Sequence, residues 1–267
     1  MSVFAADLFV GKTVVVTGSS TGIGRNIALA FASVGANVVI HGRGASNNLA
    51  AVGQQLSSIG SSFKKVFGDF SSEDFHPEEF VADAWQQFGG VDVWVNNAGG
   101  DVLTGGMSEK TFAEKLQYLM QVDVTATLAL SRTVGAKMAT SESTNRQQFS
   151  IVNIGWDQAW IGMEGDAGDM FATTKGAIMS ATKSLAHSLA PKVRVNCVAP
   201  GWIKTSWGES TSEYWDQRAR KQALLKRWGT PADVANAVVF LASPAASFIT
   251  GQIVNVNGGF NSYAETS

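Results

Sequence analysis

The stretch Thr17-Gly-Ser-Ser-Thr-Gly-Ile-Gly24, close to the start of the chain, has the composition of a phosphate cradle. Glycines at 18, 22 and 24 allow a tight turn and let the backbone approach a pyrophosphate, whose charge the N-terminus of a following helix then meets. The apolar run Val14 to Val16 leads into it, so the strand–turn–helix order that this chemistry needs is present. Farther along, Trp156-Asp-Gln-Ala-Trp-Ile-Gly-Met-Glu-Gly-Asp-Ala-Gly-Asp169 carries four acids and two tryptophans. That stretch can supply a proton donor (Asp157 comes first), can form an aromatic platform for a flat ligand, or can be a solvated acidic loop. His41, His76 and His187 lie too far apart in the chain to show metal-ligand spacing.

The elements that must position these residues follow from hydrophobic pattern. Residues 13–17, 37–41, 63–67, 91–95, 149–154, 193–198 and 252–256 read as seven strands, apolar on both faces, as in a parallel sheet covered by helices on each side. Between them lie amphipathic stripes: Ile27, Ala30, Phe31 and Val34, then Phe80, Val81, Ala84, Trp85 and Phe88. Strict alternation of strand and helix predicts an α/β fold, a Rossmann-type doubly wound parallel sheet in a single domain spanning 1–267. The dinucleotide-binding half covers about 11–155. The polar run at 139–148 reads as a surface loop.

Composition narrows the class. Hydrophobic residues make up 45% and charged residues 16%, a balance that leans towards an oligomer hiding further surface. A net charge of −2 gives no reason to expect nucleic acid or an anionic membrane as partner. Cys197 is the single cysteine, which excludes an internal disulfide and fits a reducing compartment. The N-terminal residues carry Asp7 and no cationic leader ahead of a long apolar region, and no stretch approaches the length of a membrane helix. The expectation is a cytoplasmic protein.

Three further motifs accompany the glycine turn: Asn96-Asn97-Ala98-Gly99 after the fourth strand, Lys175 in an Ala/Thr/Ser-rich helix, and Pro200-Gly201 after the sixth strand with Ile203 and Thr205 following. In order and spacing, these resemble the short-chain dehydrogenase/reductase family over nearly the whole chain. The stretches Trp228-Gly-Thr-Pro-Ala-Asp-Val and Gly251-Gln-Ile-Val-Asn-Val-Asn-Gly-Gly259 look like the 3-oxoacyl-carrier-protein reductase branch. The resemblance implies a nicotinamide cofactor held by Gly18, Ser20, Thr21, Gly22, Ile23 and Gly24 at the pyrophosphate. It implies Asp69 and Phe70, with Asn97, Ala98 and Gly99, on the adenine side. Pro200, Gly201, Ile203 and Thr205 would lie along the nicotinamide, and Lys175 would bond its ribose. It also implies a homodimer or homotetramer formed through helices at about 108–138 and 170–190, a substrate lid at about 201–221, and a small-molecule substrate. The aromatic lid residues Trp202, Trp207, Tyr214 and Trp215 suit an apolar or planar one. At the end of the second strand stand Gly42 and Arg43, where NAD-preferring members carry an acid. Glycine leaves room for a 2′-phosphate and a guanidinium can clamp it, which predicts NADP(H) in preference to NAD(H).

The sequence departs from the family where the family does its chemistry. Ile151-Val-Asn-Ile-Gly-Trp156 places Trp156 at the catalytic Ser, Phe171 stands at the catalytic Tyr four residues before Lys175, and Asp123 stands at the structural Asn. A phenyl ring neither donates nor accepts a proton. Relatives that reduce 2,4-dienoyl-CoA thioesters likewise keep the Lys and lack the Tyr, and some carry an Asp at the position of Asp123. Two readings follow. One is a reductase of a carbonyl or enoyl/dienoyl substrate with Lys175 and Asp123, or a loop acid, as its machinery. The other is a cofactor-binding pseudoenzyme with a regulatory or partner-subunit role.

Overall fold

The computed structural model describes residues 3–141 and 149–260, except for the side chain of Trp207. Seven parallel strands form one sheet: β1 (Thr13–Val16), β2 (Asn37–Gly42), β3 (Phe63–Phe67), β4 (Val93–Asn96), β5 (Phe149–Ile154), β6 (Val193–Pro200) and β7 (Ile253–Val256), in the order β3-β2-β1-β4-β5-β6-β7. The doubly wound expectation is met. Alternation along each strand sends side chains to two separate cores. Val14, Val16, Val38 and Ile40 enter one with Ile27 and Phe31, while Val15, Val39, Trp94 and Ile151 enter the other with Phe80 and Leu130.

Helices α1 (Gly22–Ser33) and α2 (Asn47–Ile59) pack together on the first face, where α1 also meets Pro231–Ala242. The second face holds α3 (Pro77–Gln86), α5 (Ala126–Thr140) and α7 (Gly165–Leu189). Not every strand is covered on both sides. In β3, Lys64, Lys65 and Phe67 are exposed, because β3 is an edge strand, and charge on an edge discourages pairing with another chain. Thr17 belongs to the turn after β1 rather than to the strand. The predicted loop at 139–148 begins only at Ser141, since α5 runs to Thr140; residues 142–148 lie outside the described residues.

The helix predicted across 108–138 is interrupted. A capping box of Thr111 and Glu114 starts α4 (Phe112–Leu119), and a π-helical turn, Met120–Thr125, joins it to α5. The extra residue of a π-turn rotates side chains off the regular helical register. Here it delivers Asp123 to the interior, fully buried, at the edge of the cleft.

Candidate active site

Strand order reverses between β1 and β4, and sheets of this kind hold ligands in the crevice at the carboxyl ends beside that point. A cavity of about 860 Å³ opens there. Gly18 and residues 20–24 line it from the turn, Arg43 from the end of β2, Asp69 and Phe70 from the end of β3, and Asn97, Ala98 and Gly99 from the end of β4. Gly18 has φ +61, and a Cβ on it would sit 2.7 Å from Ala98 Cα. A Cβ on Gly24 would sit 2.3 Å from both the Gly18 carbonyl oxygen and Asn97 Nδ2. Asn97 Nδ2 donates to the carbonyls of Thr17 and Gly18 at 2.9 and 3.0 Å, stitching β4 to the turn.

His41, at the end of β2, completes this clamp. The Gly18 N–H donates to its Nδ1 at 2.9 Å, so Nε2 carries the proton and donates to the Gly68 carbonyl at 2.9 Å. The ring is buried and stacked on Phe70 with centroids 4.6 Å apart, and burial pushes its pKa down to about 4. Sequence reasoning passed over His41, although a polar residue inside the apolar run Val-Val-Ile-His was a signal that a buried partner waits nearby.

The cleft fits a dinucleotide on its own terms. No side chain caps α1 at Thr21 and no acid occupies its first turn, so its free N–H groups and positive dipole end remain for an anion. Both bonds from Ser71 fall on Asp69 Oδ1. Burial works against the charged form of Asp69, but those bonds and the Arg43 charge outweigh it and hold the carboxyl below its usual range. Arg43 itself is exposed at the mouth.

A second cavity, about 700 Å³, continues from the first and shares Ile23, Asn97, Phe171 and Thr205 with it. Lys175, Pro200, Gly201 and Ile203 line this half, so the sequence-assigned residues fall into two adjoining compartments. Lys175 Nζ lies 2.8 Å from Asp123 Oδ2, and Asp123 Oδ1 accepts the Gly100 N–H at 2.7 Å. Both carboxylate oxygens therefore face donors.

Trp156 and Phe171 form an edge-to-face wall, ring centroids 6.3 Å apart and 74° between planes. Trp202, Trp215 and Trp228 line the same cavity, with Trp202 packed against both of the others. The segment predicted as a lid carries α8 (Ser206–Glu209) and α9 (Glu213–Gln222), and tryptophans at and beyond its ends pack it down: Trp202 Nε1 donates to Gln222 Oε1 at 2.7 Å, and Trp228, past the segment, donates from Nε1 to Asp216 Oδ1 at 2.8 Å.

The acids of the 156–169 stretch go separate ways, since a short helix, α6 (Gln158–Ile161), and the first turn of α7 fold most of it. Asp157 turns inward, buried at 4% exposure, where Asn257 Nδ2 donates to its Oδ2 at 3.0 Å; burial raises its pKa to about 6. Glu164 pairs with Arg218 of α9, whose Nη2 lies 2.8 Å from Glu164 Oε2, and those bonds bring its pKa down to about 2. Glu164 and Asp166 line the second cavity.

This geometry has counterparts. The fold matches a short-chain dehydrogenase/reductase of Brucella melitensis with a TM-score of 0.80 at 33% identity, over 96% of this chain and 98% of that one. The family described as enoyl-(acyl carrier protein) reductase matches residues 18–261. The chain belongs to the short-chain dehydrogenase/reductase family. It is 37% identical over 254 residues to the 3-oxoacyl-[acyl-carrier-protein] reductase FabG of Aquifex aeolicus (strain VF5), covering 93% of this chain and 97% of that protein. A 3-oxoacyl (acyl-carrier-protein) reductase of Agrobacterium tumefaciens C58 with NADP bound matches with a TM-score of 0.82 at 29% identity, over 95% of this chain and 96% of that one. Among the described residues no helix is long and apolar enough to cross a membrane.

Proposed function

We propose that this family member is an NADP(H)-dependent reductase of an apolar, planar small molecule, working without the family's hydroxyl acid. The observation that carries it is the ion pair of Lys175 and Asp123 at 2.8 Å beside an intact dinucleotide cleft. A dinucleotide bound there supplies a hydride. The chain's own part is to hold it: the α1 N-terminus and the glycine turn take the pyrophosphate, Asp69 the adenine side, Arg43 the 2′-phosphate, and Lys175 the nicotinamide ribose. Asp123 fixes Lys175, a positioning role: its Oδ1 accepts the Gly100 N–H while its Oδ2 lies 2.8 Å from Lys175 Nζ. Trp156 and Phe171 close the substrate compartment with rings and supply no proton. Assembly as a homodimer or homotetramer through the helices at about 108–138 and 170–190 belongs to the same reading; the exposed Phe112 and Met120 in the first of these stretches support it.

Titration of nicotinamide fluorescence tests the reading. NADPH should bind more tightly than NADH. Arg43→Ala should weaken NADPH alone, by about tenfold to a hundredfold, the range of a charged hydrogen bond of ~1.5–3 kcal/mol. Equal binding of the two dinucleotides by the wild type would sink the preference. The second reading, a binding protein without turnover, is favoured by the same two rings. It stands if NADPH binds yet is oxidised by no carbonyl, enoyl, quinone or iminium compound.

A further inference from the structure

We propose that the second cavity is a site for a planar organic cation, an acceptor of the iminium class; this rests on the reductase reading above. Two features of the cavity wall converge on that chemistry.

The first is what the wall attracts. Trp156, Phe171, Trp202 and Trp215 line it, and aromatic faces draw cations, most strongly when water is excluded. One cation is already held in this way, since the Arg218 guanidinium lies 5.2 Å from the centre of the Trp215 ring. The charged groups lining the cavity are Lys175, Glu164 and Asp166. Lys175 is matched by Asp123 at 2.8 Å, and Glu164 is matched by Arg218. Asp166, exposed in the first turn of α7, makes no ion pair among the described residues, so the pairs leave one negative charge at the cavity.

The second is what the wall lacks. Among the described residues no Ser, Tyr, His or Cys lines it, the Thr205 hydroxyl and indole N–H groups are not acids at neutral pH, and the Lys175 ammonium is engaged by Asp123. A ketone that accepts a hydride becomes an alkoxide and must then take a proton. An iminium carbon accepts the hydride as a new C–H bond while the C=N π pair moves onto nitrogen, and the product is a neutral amine. Reduced nicotinamide supplies both electrons and leaves oxidised, so charge and atoms balance with no proton moved. An acceptor of this kind needs aromatic walls and a carboxylate, and it does not need the Ser and Tyr that are missing.

The test uses N-methyl dihydroisoquinolinium, a permanent cation, against the neutral ketone tetralone of similar shape. NADPH is titrated first. Calorimetry on the protein loaded with NADP⁺ then compares the two ligands. The cation should bind at least about tenfold more tightly, and Asp166→Asn should weaken it about three- to tenfold while leaving tetralone unchanged, the scale of one cation–π or exposed charge interaction. With NADPH the cation should be reduced at a rate that does not vary with pH around neutrality, because no proton is consumed. Absence of NADPH binding overturns both this proposal and the reductase reading. Binding of NADPH with tetralone bound or reduced as well as the cation overturns this proposal alone. Selective cation binding without turnover overturns the assignment of the cation as hydride acceptor, and the reductase reading falls with it only if the carbonyl, enoyl and quinone compounds are not reduced either.

Discussion

Around the turn at 17–24, close backbone approaches are secured by hydrogen bonds: Asn97 reaches two carbonyls and His41 accepts the Gly18 N–H. Around Trp156 and Phe171, by contrast, the wall is made of ring faces, held by packing. The dinucleotide half tolerates few residues at each place, because its geometry is fixed by backbone and directional bonds. The Trp156–Phe171 wall can accept other side chains of similar volume. Evolution of a new reaction on this scaffold is therefore expected in the second half while the first stays recognisable.

The sharpest way to break that contrast is to rebuild the family's acid. Trp156→Ser with Phe171→Tyr should raise reduction of a 3-oxoacyl thioester by ~10²–10⁴ over the wild type, the usual contribution of a positioned acid and a carbonyl donor. Either change alone should stay within about tenfold, since the Tyr hydroxyl and the space beside it act together. Steady-state NADPH oxidation by the four proteins decides it. A full gain from Phe171→Tyr alone would show that Trp156 does not obstruct the carbonyl position.

In the dinucleotide half, Gly24→Ala should do the opposite. Its Cβ would lie 2.3 Å from the Gly18 carbonyl oxygen, so the turn must open. A loss of NADPH affinity above a hundredfold, on the order of 3 kcal/mol, is expected with the fold intact by circular dichroism. Unchanged affinity would mean that the cradle is far more pliable than its hydrogen bonds imply.

How much of this was legible follows the same divide. The glycine turn was readable because Gly18 and Gly24 answer a backbone requirement, whereas Asn97 to Gly99, Lys175 and Pro200 to Thr205 were singled out by the resemblance and line two adjoining cavities. All seven strands were readable, β3 included, but the exposed lysines of β3 mark an edge that only strand order reveals. Other features depend on contacts distant in sequence. Asp157 finds Asn257 across the cleft floor, Glu164 finds Arg218 on α9, and the π-turn that buries Asp123 has no composition of its own. Hydrophobic periodicity predicts one continuous helix there, because a single inserted residue barely alters the pattern.

Acid titration separates two buried groups that work against each other. His41 has its pKa lowered from 6.5 to about 4, so between those values the unfolded chain binds more protons and stability falls as pH falls. At ~1.4 kcal/mol per pH unit this window is worth about 3 kcal/mol, an upper bound for a buried ring. Protonation also removes the acceptor for the Gly18 N–H. Urea unfolding of His41→Asn at pH 7 and pH 4 should show a smaller acid loss than the wild type. An identical loss would exclude His41 as the sensitive group.

Asp157 contributes with the opposite sign and a smaller net effect. Burial raises its pKa from 3.8 to about 6, so its stabilisation is fully present below the unfolded value and is lost as pH rises through the folded one. At pH 8 the fold therefore carries an ionised carboxylate at 4% exposure whose Oδ1 has no hydrogen-bond partner. Asp157→Asn keeps the shape and can still pair with Asn257, but it removes the charge. The variant should be more stable than the wild type at pH 8, by about 1–2 kcal/mol once relaxation is allowed for, and close to equal at pH 4. With its counterweight gone, the acid loss due to His41 should then be exposed, and the slope of stability against pH between 6 and 4 should steepen. Because Asp157 lies beneath Gly201 and does not line the second cavity, NADPH affinity should change little in this variant. A destabilised Asp157→Asn at pH 8 would mean that the carboxylate is held by a partner stronger than Asn257, and the floor of the substrate half would then be as directionally bonded as the dinucleotide half.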